Sequence, residues 1–299
     1  MIIDKVEYYW LIKKKRWSDV SNKNIILSPI LKWVGGKRQL LNDIRPLIPK
    51  KITQYVEPFV GGGAVLFDLQ PKNAIINDLN EELINVYLSV RDYPCELIDL
   101  LAHYHSLNSE DYYYSIRELD RSKDYHLMSS IEKAARIIYL NKTCYNGLFR
   151  VNQAGQFNAP YGRYKNPNII NKPVILAMNR YFNDNEIKIL HGDYKKVLTN
   201  LKKGSFVYFD PPYMPLSTSS SFTGYTENGF SEKDQIELKK KCDRLNEEGV
   251  KFLLSNSDHA LIKEIYKDYE IITVKARRTI NRDGNKRGEI NELLIRNYK

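Results

Sequence analysis

Metal-binding patterns, long apolar runs and a secretion signal are all missing from this chain of 299 residues. Its three cysteines and five histidines fall into no ligand spacing such as CxxC or HExxH, so we expect reduced thiols and no bound metal. No apolar run approaches the roughly 18 to 20 residues that cross a bilayer. The first residues do not form a basic segment followed by an apolar one. We therefore expect a cytoplasmic protein with no membrane contact.

Acidic residues are also missing from one long stretch of a chain whose formal net charge is +10. Between Lys133 and Asn183 there is no Asp or Glu, while Lys and Arg recur and aromatic side chains alternate with Asn and Gln. Such a segment can neutralise phosphates and also stack on or hydrogen-bond to bases. An ordinary solvated basic face is the alternative. We favour a nucleic-acid partner.

Short apolar runs rich in β-branched residues predict buried strands at 54–56, 74–76, 187–190, 205–209, 250–254 and 270–274. Helical patterns lie between several of them, at 81–90, 232–246 and 259–266, and Ser231 is the expected N-cap of the second helix. This alternation predicts an α/β fold with a largely parallel sheet covered by helices.

The alternation is interrupted between residues 95 and 173, where helix-like stretches precede a segment rich in Gly and Asn. We expect residues 95–173 to form an inserted, mostly helical subdomain. The main domain then consists of residues 29–94 and 174–299. Residues 1–28 show no periodicity, and we treat them as an N-terminal extension of unknown role.

A glycine-rich loop, EPFVGGG at 57–63, follows the first predicted strand and opens a helix-like run. Its glycines permit a tight turn and close approach of a ligand to backbone N–H groups. The loop lacks the GxGxxG spacing of dinucleotide sites, so a flexible turn is the alternative. Asp78, which ends the next strand, either accepts hydrogen bonds from two ribose hydroxyls or caps the helix that begins at Glu81. Together the two features favour a ribose-containing cofactor.

The segment Asp210-Pro211-Pro212-Tyr213 directly follows the strand predicted at 205–209, at the edge of the sheet where α/β proteins bind ligands. Asp210 supplies carboxylate acceptors, and the prolines lack N–H groups but keep their carbonyls. Such a site can accept both protons of a primary aromatic amine and stabilise positive charge on its nitrogen. Tyr213 can stack on the ring. The alternative is a proline-rich turn with a buried tyrosine.

Two further turns qualify the cofactor prediction. KWVGGKR at 32–38 is not a phosphate-binding P-loop, because Leu31 replaces its first glycine and Arg38 stands where Ser or Thr would hold magnesium. ATP hydrolysis is therefore disfavoured. HGDY at 191–194 follows another predicted strand and offers a carboxylate and a ring at the same edge of the sheet, suited to the adenine of a cofactor.

These motifs, in this order, resemble those of the Dam-type DNA adenine N6-methyltransferases, the DPPY class alpha enzymes. The resemblance covers about residues 31–298 and includes KWVGGKRQLL, EPFVGGGAVLF, INDLNEELINVY, NKTCYNGLFRVNQAGQFNAPYGRY, HGDY, YFDPPYMPLS and NELLIRNY. It implies a Rossmann-like S-adenosylmethionine-dependent methyltransferase sheet with an inserted target-recognition domain. It also implies double-stranded DNA as substrate, flipping of the target base out of the duplex, and direct in-line transfer to N6 of adenine.

The resemblance assigns roles by position. The residues expected at S-adenosylmethionine are Trp33, Lys37, Phe59, Gly61, Gly63, Asp78, Asp193, Tyr194 and Asp210. The expected catalytic residues, around the flipped adenine, are Asp210, Pro211, Pro212 and Tyr213. The residues expected at DNA are Tyr145, Asn146, Leu148, Arg150, Asn152 and Arg163. Among these, Arg150 is expected to read a guanine, because its fork fits O6 and N7. The similarity of the insert to the GATC-reading branch implies GATC as the target.

Other functions remain open at this point. RNA or protein-glutamine methyltransferases use related motifs, but they usually carry Asn at the position of Asp210 and lack the basic insert. N4-cytosine enzymes more often have Ser there. A DNA-binding module without catalysis, or an endonuclease subunit, is disfavoured by the intact DPPY and by the lack of a PD…ExK cluster. We expect a protective methyltransferase whose cognate restriction endonuclease acts on the same site without a stable complex; a solitary regulatory or repair-type enzyme is the alternative.

Overall fold

The computed structural model describes residues 23–214, 230–277 and 289–299. Most of the N-terminal extension predicted at 1–28 therefore lies outside the described residues. Within them, one sheet contains the strands β1 (Gln54–Glu57), β2 (Asn73–Asp78), β3 (Glu186–His191), β4 (Ser205–Phe209), β5 (Lys251–Ser257), β6 (Glu270–Arg277) and β7 (Glu289–Arg296).

The strand order is β3-β2-β1-β4-β5-β7-β6. The first five strands of that order run parallel, and β7 is antiparallel to both of its neighbours, β5 and β6. The α/β fold is therefore confirmed. Strand β7 was not among the predicted buried strands, because only its second half is apolar and buried.

Helices cover the sheet and fill the segment between β2 and β3. They are α1 (Leu41–Ile44), α2 (Ala64–Leu69), α3 (Glu81–Asp92), α4 (Pro94–Ser106), α5 (Glu110–Glu118), α6 (Ser130–Thr143), α7 (Lys172–Asp184), α8 (Glu232–Glu247) and α9 (Ala260–Ile265). Short 3-10 turns occur at Lys37–Leu40, Arg45–Leu47, Leu119–Arg121, Lys123–Leu127, Tyr145–Gly147 and Tyr194–Leu198. Ser231 caps α8 as predicted, because its hydroxyl accepts the Asp234 N–H while the Asp234 carboxylate accepts the Ser231 N–H.

The inserted helices share the core of the main domain. Helix α6 begins with a capping box of Ser129 and Glu132. Its buried residues Ile137 and Ile138 belong to the same apolar cluster as Leu83 of α3. Packing against this core gives the segment a fixed position relative to the sheet. The boundaries at 95 and 173 stay a prediction.

The last part of the insert is an irregular antiparallel hairpin rather than a helix. Isolated bridges join Cys144 to Tyr161 and Val151 to Phe157. Between them the Asn158 N–H donates to the Arg150 carbonyl at 2.9 Å. We call residues 144–161 the recognition hairpin, because most of the residues predicted to contact DNA lie on it.

The strand order places two loops side by side. Strands β1 and β4 are parallel neighbours, with Val56 opposite Val207. The chain leaves β1 toward β2 on one side and β4 toward β5 on the other, which makes this a topological switch point where ligands bind in open α/β sheets. The EPFVGGG loop follows β1 and the DPPY segment follows β4, so both meet at this point.

Candidate active site

The glycine loop is held by the carboxylate that follows β2. The Gly61 N–H donates to Asp78 Oδ2 and the Asn80 N–H to Asp78 Oδ1, both at 2.9 Å. Burial raises the pKa of Asp78, and these hydrogen bonds oppose the rise. Asn80, not Asp78, caps α3, because its side chain accepts the Leu83 N–H at 2.9 Å. The alternative interpretation of Asp78 as the helix cap is therefore wrong.

Gly63 shows why this loop requires glycine. Its φ of +70° is left-handed, and a Cβ placed there would lie 2.7 Å from the Phe67 ring. Gly61 is also left-handed, and a Cβ there would lie 3.0 Å from the Trp33 ring. Any side chain at Gly63 must therefore strain the backbone and displace the core ring behind it.

Asn77, which the sequence did not single out, joins the loops that follow three neighbouring strands. It is buried, and its Nδ2 donates to the Pro58 carbonyl at 3.0 Å and to the Gly192 carbonyl at 2.8 Å. The Val60 N–H in turn donates to the Asn77 carbonyl at 2.9 Å. These bonds fix the relative positions of the glycine loop and the HGDY turn.

Lys37 and Asp210 form an ion pair in the cleft between the two loops. Lys37 Nζ lies 2.7 Å from Asp210 Oδ1, and only 5% of its side chain is exposed. It also donates to the Gly35 carbonyl at 2.7 Å. Burial raises the pKa of Asp210 to about 6, because desolvation outweighs the lowering by Lys37, and the charge of Glu292 adds to the rise. Asp210 is thus ionised near neutrality but titrates close to it.

The cleft itself gathers most of the residues predicted at the cofactor. Its lining is Trp33, Val34, Gly35, Gly36, Lys37, Glu57, Val60, Gly61, Gly62, Gly63, Ala64, Val65 and Asp210. Glu57 was not predicted. Its carboxyl is fully buried and accepts the Tyr55 hydroxyl at 2.8 Å, and burial raises its pKa well above the usual range.

The backbone of the DPPY segment is held by two buried amides. Gln235 Nε2 donates to the Pro212 carbonyl at 3.0 Å, and Asn256 Nδ2 donates to Gln235 Oε1 at 3.0 Å. Asn256 Oδ1 accepts the Met214 N–H at 3.3 Å. The sequence alone does not distinguish the two proline carbonyls, but that of Pro212 is already engaged by Gln235. Neither amide was predicted, because both lie far along the chain from the motif.

Tyr213 is partly buried beside the ion pair. Lys37 Nζ lies 4.7 Å from the centre of its ring, which is a cation–π distance. Its hydroxyl donates to Glu292 Oε2 at 2.7 Å. Burial raises the pKa of Tyr213 well above its usual value, so the phenol is neutral and acts as a hydrogen-bond donor.

Phe59, Asp193 and Tyr194 lie beside the cleft at the ends of β1 and β3. The rings of Phe59 and Tyr194 are 4.9 Å apart, and Phe230 packs edge-on against Phe59 at 6.0 Å. The Asp193 carboxylate accepts the Lys195 N–H at 2.9 Å and begins a 3-10 turn. The rings of Phe59, Tyr194 and Phe230 form an aromatic wall, and none of the three is among the residues that line the cleft.

The recognition hairpin is attached to the cleft through aromatic packing. Phe149 and Phe157 are buried, with ring centres 5.7 Å apart. Phe149 also stacks on Trp33 at 4.8 Å. Alternate residues on this hairpin therefore face the core, and their neighbours face outward.

Arg150 points outward and its guanidinium is oriented by one neighbour. Its Nε donates to Asn158 Oδ1 at 2.6 Å and its Nη2 to the Asn158 carbonyl at 2.8 Å. A guanidinium has five N–H donors. Two are used here, so the Nη1 side of the group keeps its hydrogen-bonding capacity.

The other residues predicted at DNA lie on the same surface, outside the cleft. Tyr145 is 56% exposed, Asn146 has a left-handed φ of +58°, and Leu148 is half-buried. The Asn152 side chain closes the hairpin tip, since Oδ1 accepts two backbone N–H groups and Nδ2 donates to Gln156. Arg163 is exposed and lies 3.3 Å from Glu110.

The described residues contain neither a metal-binding cluster nor a membrane-spanning helix. Residues 23–214, 230–277 and 289–299 contain no group of three or more His, Cys, Asp or Glu side chains arranged to hold a metal ion. Across the same ranges, every helix is too short or too polar to cross a membrane.

The strand order, the glycine loop and the DPPY segment at the switch point together define a methyltransferase that acts on an amine. A family model for D12 class N6 adenine-specific DNA methyltransferases matches residues 33–280. The chain belongs to this family. The predicted enzyme class, an adenine-specific DNA methyltransferase, is thereby confirmed.

Individual relatives agree with the family model. The Type II methyltransferase M1.LlaDCHI of Lactococcus lactis subsp. cremoris is 47% identical over 279 residues, covering 93% of this chain and 98% of the relative. The Type II methyltransferase M.MjaIII of Methanocaldococcus jannaschii is 43% identical over 290 residues, covering 91% and 99%. The DNA adenine methylase of Escherichia coli K12 is 35% identical over 271 residues, covering 88% and 93%.

Proposed function

We propose that this enzyme transfers the methyl group of S-adenosylmethionine to N6 of the adenine in GATC, in double-stranded DNA. The observation that carries the proposal is the position of Asp210. Its carboxylate lines the same cleft as the glycine loop and directly precedes the Pro-Pro-Tyr segment. One carboxylate therefore faces both the proposed cofactor site and the proposed target base.

The chemistry of the cleft fits S-adenosylmethionine. The cofactor carries a carboxylate, an ammonium group and a sulfonium cation. The lining supplies the Lys37 ammonium together with the carboxyl groups of Glu57 and Asp210, and the left-handed Gly61 and Gly63 allow close approach to the backbone. The residues we assign to the cofactor are Trp33, Lys37, Phe59, Gly61, Gly63, Asp78, Asp193, Tyr194 and Asp210. The bound cofactor supplies an electrophilic methyl group.

Asp78 and the aromatic wall retain capacity for the remaining parts of the cofactor. An ionised carboxylate has about four lone-pair positions. The Gly61 and Asn80 N–H groups occupy one on each oxygen of Asp78. The others suit ribose hydroxyls. The rings of Phe59 and Tyr194, with Asp193 beside them, suit the adenine of the cofactor.

The DPPY residues activate the amine by accepting its protons. We assign one N6 proton to the Asp210 carboxylate and the other to the Pro211 carbonyl, because the Pro212 carbonyl is engaged by Gln235. These acceptors draw the nitrogen lone pair out of conjugation with the base and stabilise the positive charge that develops on N6. Asp210 is the group positioned to receive the proton that N6 loses. Tyr213 stacks on the flipped base.

We assign target recognition to the insert at 95–173 and catalysis to residues 29–94 and 174–299. The exposed residues of the recognition hairpin, with Arg163 beside it, are the proposed DNA contacts: Tyr145, Asn146, Leu148, Arg150, Asn152 and Arg163. The outward guanidinium of Arg150, oriented by Asn158, supports its assignment to a guanine of GATC.

Similarity to relatives supports a protective role. The two relatives named as Type II methyltransferases are 47% and 43% identical, whereas the DNA adenine methylase of E. coli is 35% identical. We therefore infer a role in restriction–modification, with a cognate endonuclease that recognises the same sequence without a stable complex. A solitary methyltransferase is the second candidate, supported by the similarity to the DNA adenine methylase.

Transfer from labelled S-adenosylmethionine to synthetic duplexes tests the activity and the sequence. We expect methylation of a GATC duplex and none of a duplex in which the target adenine is replaced. Asp210→Ala should abolish transfer while the melting temperature stays near that of the wild type. Asp243→Ala, at a carboxylate on the outer part of α8 that pairs with Lys239, is the matched control and should retain activity. Equal labelling of GATC and unrelated duplexes would contradict the assignment.

A further inference from the structure

The Tyr213 hydroxyl has its hydrogen-bond partner on the last strand of the sheet. Its oxygen lies 2.7 Å from Glu292 Oε2, 79 residues along the chain. Glu292 pairs with Ser257 across β5 and β7, and Ser257 Oγ donates to the Met214 carbonyl at 2.7 Å. The middle of β7 and the end of β5 are therefore packed against the segment that carries the DPPY residues. None of the predicted site residues lies on this strand.

A phenol has a single hydrogen to donate, and the Tyr213 hydroxyl lies near two carboxylates, those of Glu292 and Asp210. In the structure it donates this hydrogen to Glu292. Asp210 competes for the same hydrogen, since hydrogen bonding by Tyr213 is among the causes that lower the pKa of Asp210. Lys37 already occupies Asp210 Oδ1. A Tyr213 hydroxyl that turned to Asp210 would therefore compete with the target amine for the remaining acceptor positions.

The polar end of the Tyr213 ring is held by the 2.7 Å hydrogen bond from its hydroxyl to Glu292 Oε2. Lys37 Nζ lies over the ring at 4.7 Å from its centre, but this contact does not fix rotation of the hydroxyl. An aromatic platform accelerates the reaction only if it holds the base in a reactive orientation. The position of the ring thus depends on a carboxylate that does not itself line the cleft.

We propose that Glu292 is a positioning residue for methyl transfer: it receives the Tyr213 hydroxyl, holds the ring ready for the target adenine and keeps Asp210 free to accept the amine. The inference rests on the proposed function, because it takes Tyr213 as the platform for the base. Glu292 acts through Tyr213 and does not touch the reacting atoms.

A double-mutant cycle at Glu292 and Tyr213 tests this role. Glu292→Ala should lower kcat about 10-fold, as expected for the loss of a hydrogen bond to a charged group, with KM for S-adenosylmethionine little changed. Tyr213→Phe should lower kcat by a similar factor. The double variant should be no slower than the slower single variant, because both changes remove the same contact. The charge of Glu292 also raises the pKa of Asp210, and its removal could change the rate in that way. Assays at about pH 8 avoid this effect, because Asp210 is then ionised in every variant.

Conservative and control variants separate positioning from folding. Glu292→Gln keeps an acceptor for the hydroxyl and should recover most of the activity. Glu292→Met keeps the volume without the acceptor and replaces the alanine variant if that one unfolds. Glu270→Gln removes the carboxylate that pairs with Arg296 at the far end of β6 and β7, and should leave kcat unchanged.

Three results would overturn the inference: full kcat in Glu292→Ala and Glu292→Met, multiplication of the two single effects in the double variant, or a Glu292→Gln variant as slow as the alanine one. These results differ from a failure of the proposed function. If the proposed function fails, the wild-type protein transfers no methyl group to GATC. If only the role of Glu292 fails, the wild-type protein is active and the coupling between Glu292 and Tyr213 is absent.

Discussion

Replacement of Lys37 by Met should shift the acid limb of the pH–rate profile to higher pH. Asp210 accepts an amine proton only when it is ionised, and its pKa is raised to about 6, so the rate should fall as the pH drops through that value. Lys37 lowers this pKa through its charge and its 2.7 Å contact. Loss of a hydrogen bond between charged groups costs about 1.5 to 3 kcal/mol, which corresponds to roughly 1 to 2 pH units.

The midpoint of the acid limb should therefore move from about pH 6 to between about 7 and 8 in Lys37→Met. With a midpoint near 7.5, about a tenth of Asp210 is ionised at pH 6.5, against about three quarters in the wild type, a difference of roughly 8-fold in rate. Near pH 9 both enzymes should have reached their plateaus. The groups that set this titration are Lys37, Glu292 and Tyr213 around Asp210, all in or beside the cleft.

Single-turnover methyl transfer between pH 5 and 9 measures the effect, with S-adenosylmethionine raised until the rate no longer increases, because Lys37 also lines the proposed cofactor site. Lys267→Met is the control, since this exposed lysine pairs with Glu264 in the last turn of α9. A midpoint that stays in place or moves to lower pH in Lys37→Met would show that the rate does not depend on ionised Asp210.

Two further substitutions test the recognition hairpin and the glycine loop. Arg150→Ala should reduce discrimination at one guanine of the site by about 1 to 3 kcal/mol, measured as kcat/KM on duplexes altered at single positions, and equal discrimination by the wild type and this variant would contradict the assignment. Gly63→Ala should lower the free energy of unfolding by about 1 to 3 kcal/mol in urea titrations, because its φ is +70° and the new Cβ would lie 2.7 Å from Phe67. Gly155→Ala is the control: its φ of +73° is similar, but the added Cβ meets nothing within 4 Å, so this substitution should lower the free energy of unfolding less.

The parallel part of the sheet was predictable because each of its strands is a short run of β-branched and aromatic residues. Strand β4 was predicted with the bounds that the structure shows. Strand β7 differs: three of the four residues in its first half are polar, only Ile290 is apolar, and none of the four is buried. A search for continuous apolar runs therefore passes over it, although it carries the partner of Tyr213.

The candidate site was predictable where its chemistry is local in the chain. The DPPY segment and the glycine loop are short motifs, and the strand order brings them together. The groups that hold them are not local. Asn77 reaches Gly192 across 115 residues and Gln235 reaches the Pro212 carbonyl across 23, and single polar residues on helices or strands give no sequence signal of such contacts. The recognition hairpin was not predicted either, because it is closed by isolated bridges rather than by regular strands with an alternating pattern.

Methylation of a plasmid inside cells is the most direct measurement of the central claim, which is that Asp210 and its neighbours methylate N6 of adenine in GATC. Plasmid DNA from cells that produce the wild-type enzyme should contain N6-methyladenine by nucleoside mass spectrometry, and sequencing should place it in GATC. The Asp210→Ala variant should add none. Methyl groups on another base, at sites unrelated to GATC, or at wild-type levels in Asp210→Ala, would contradict it.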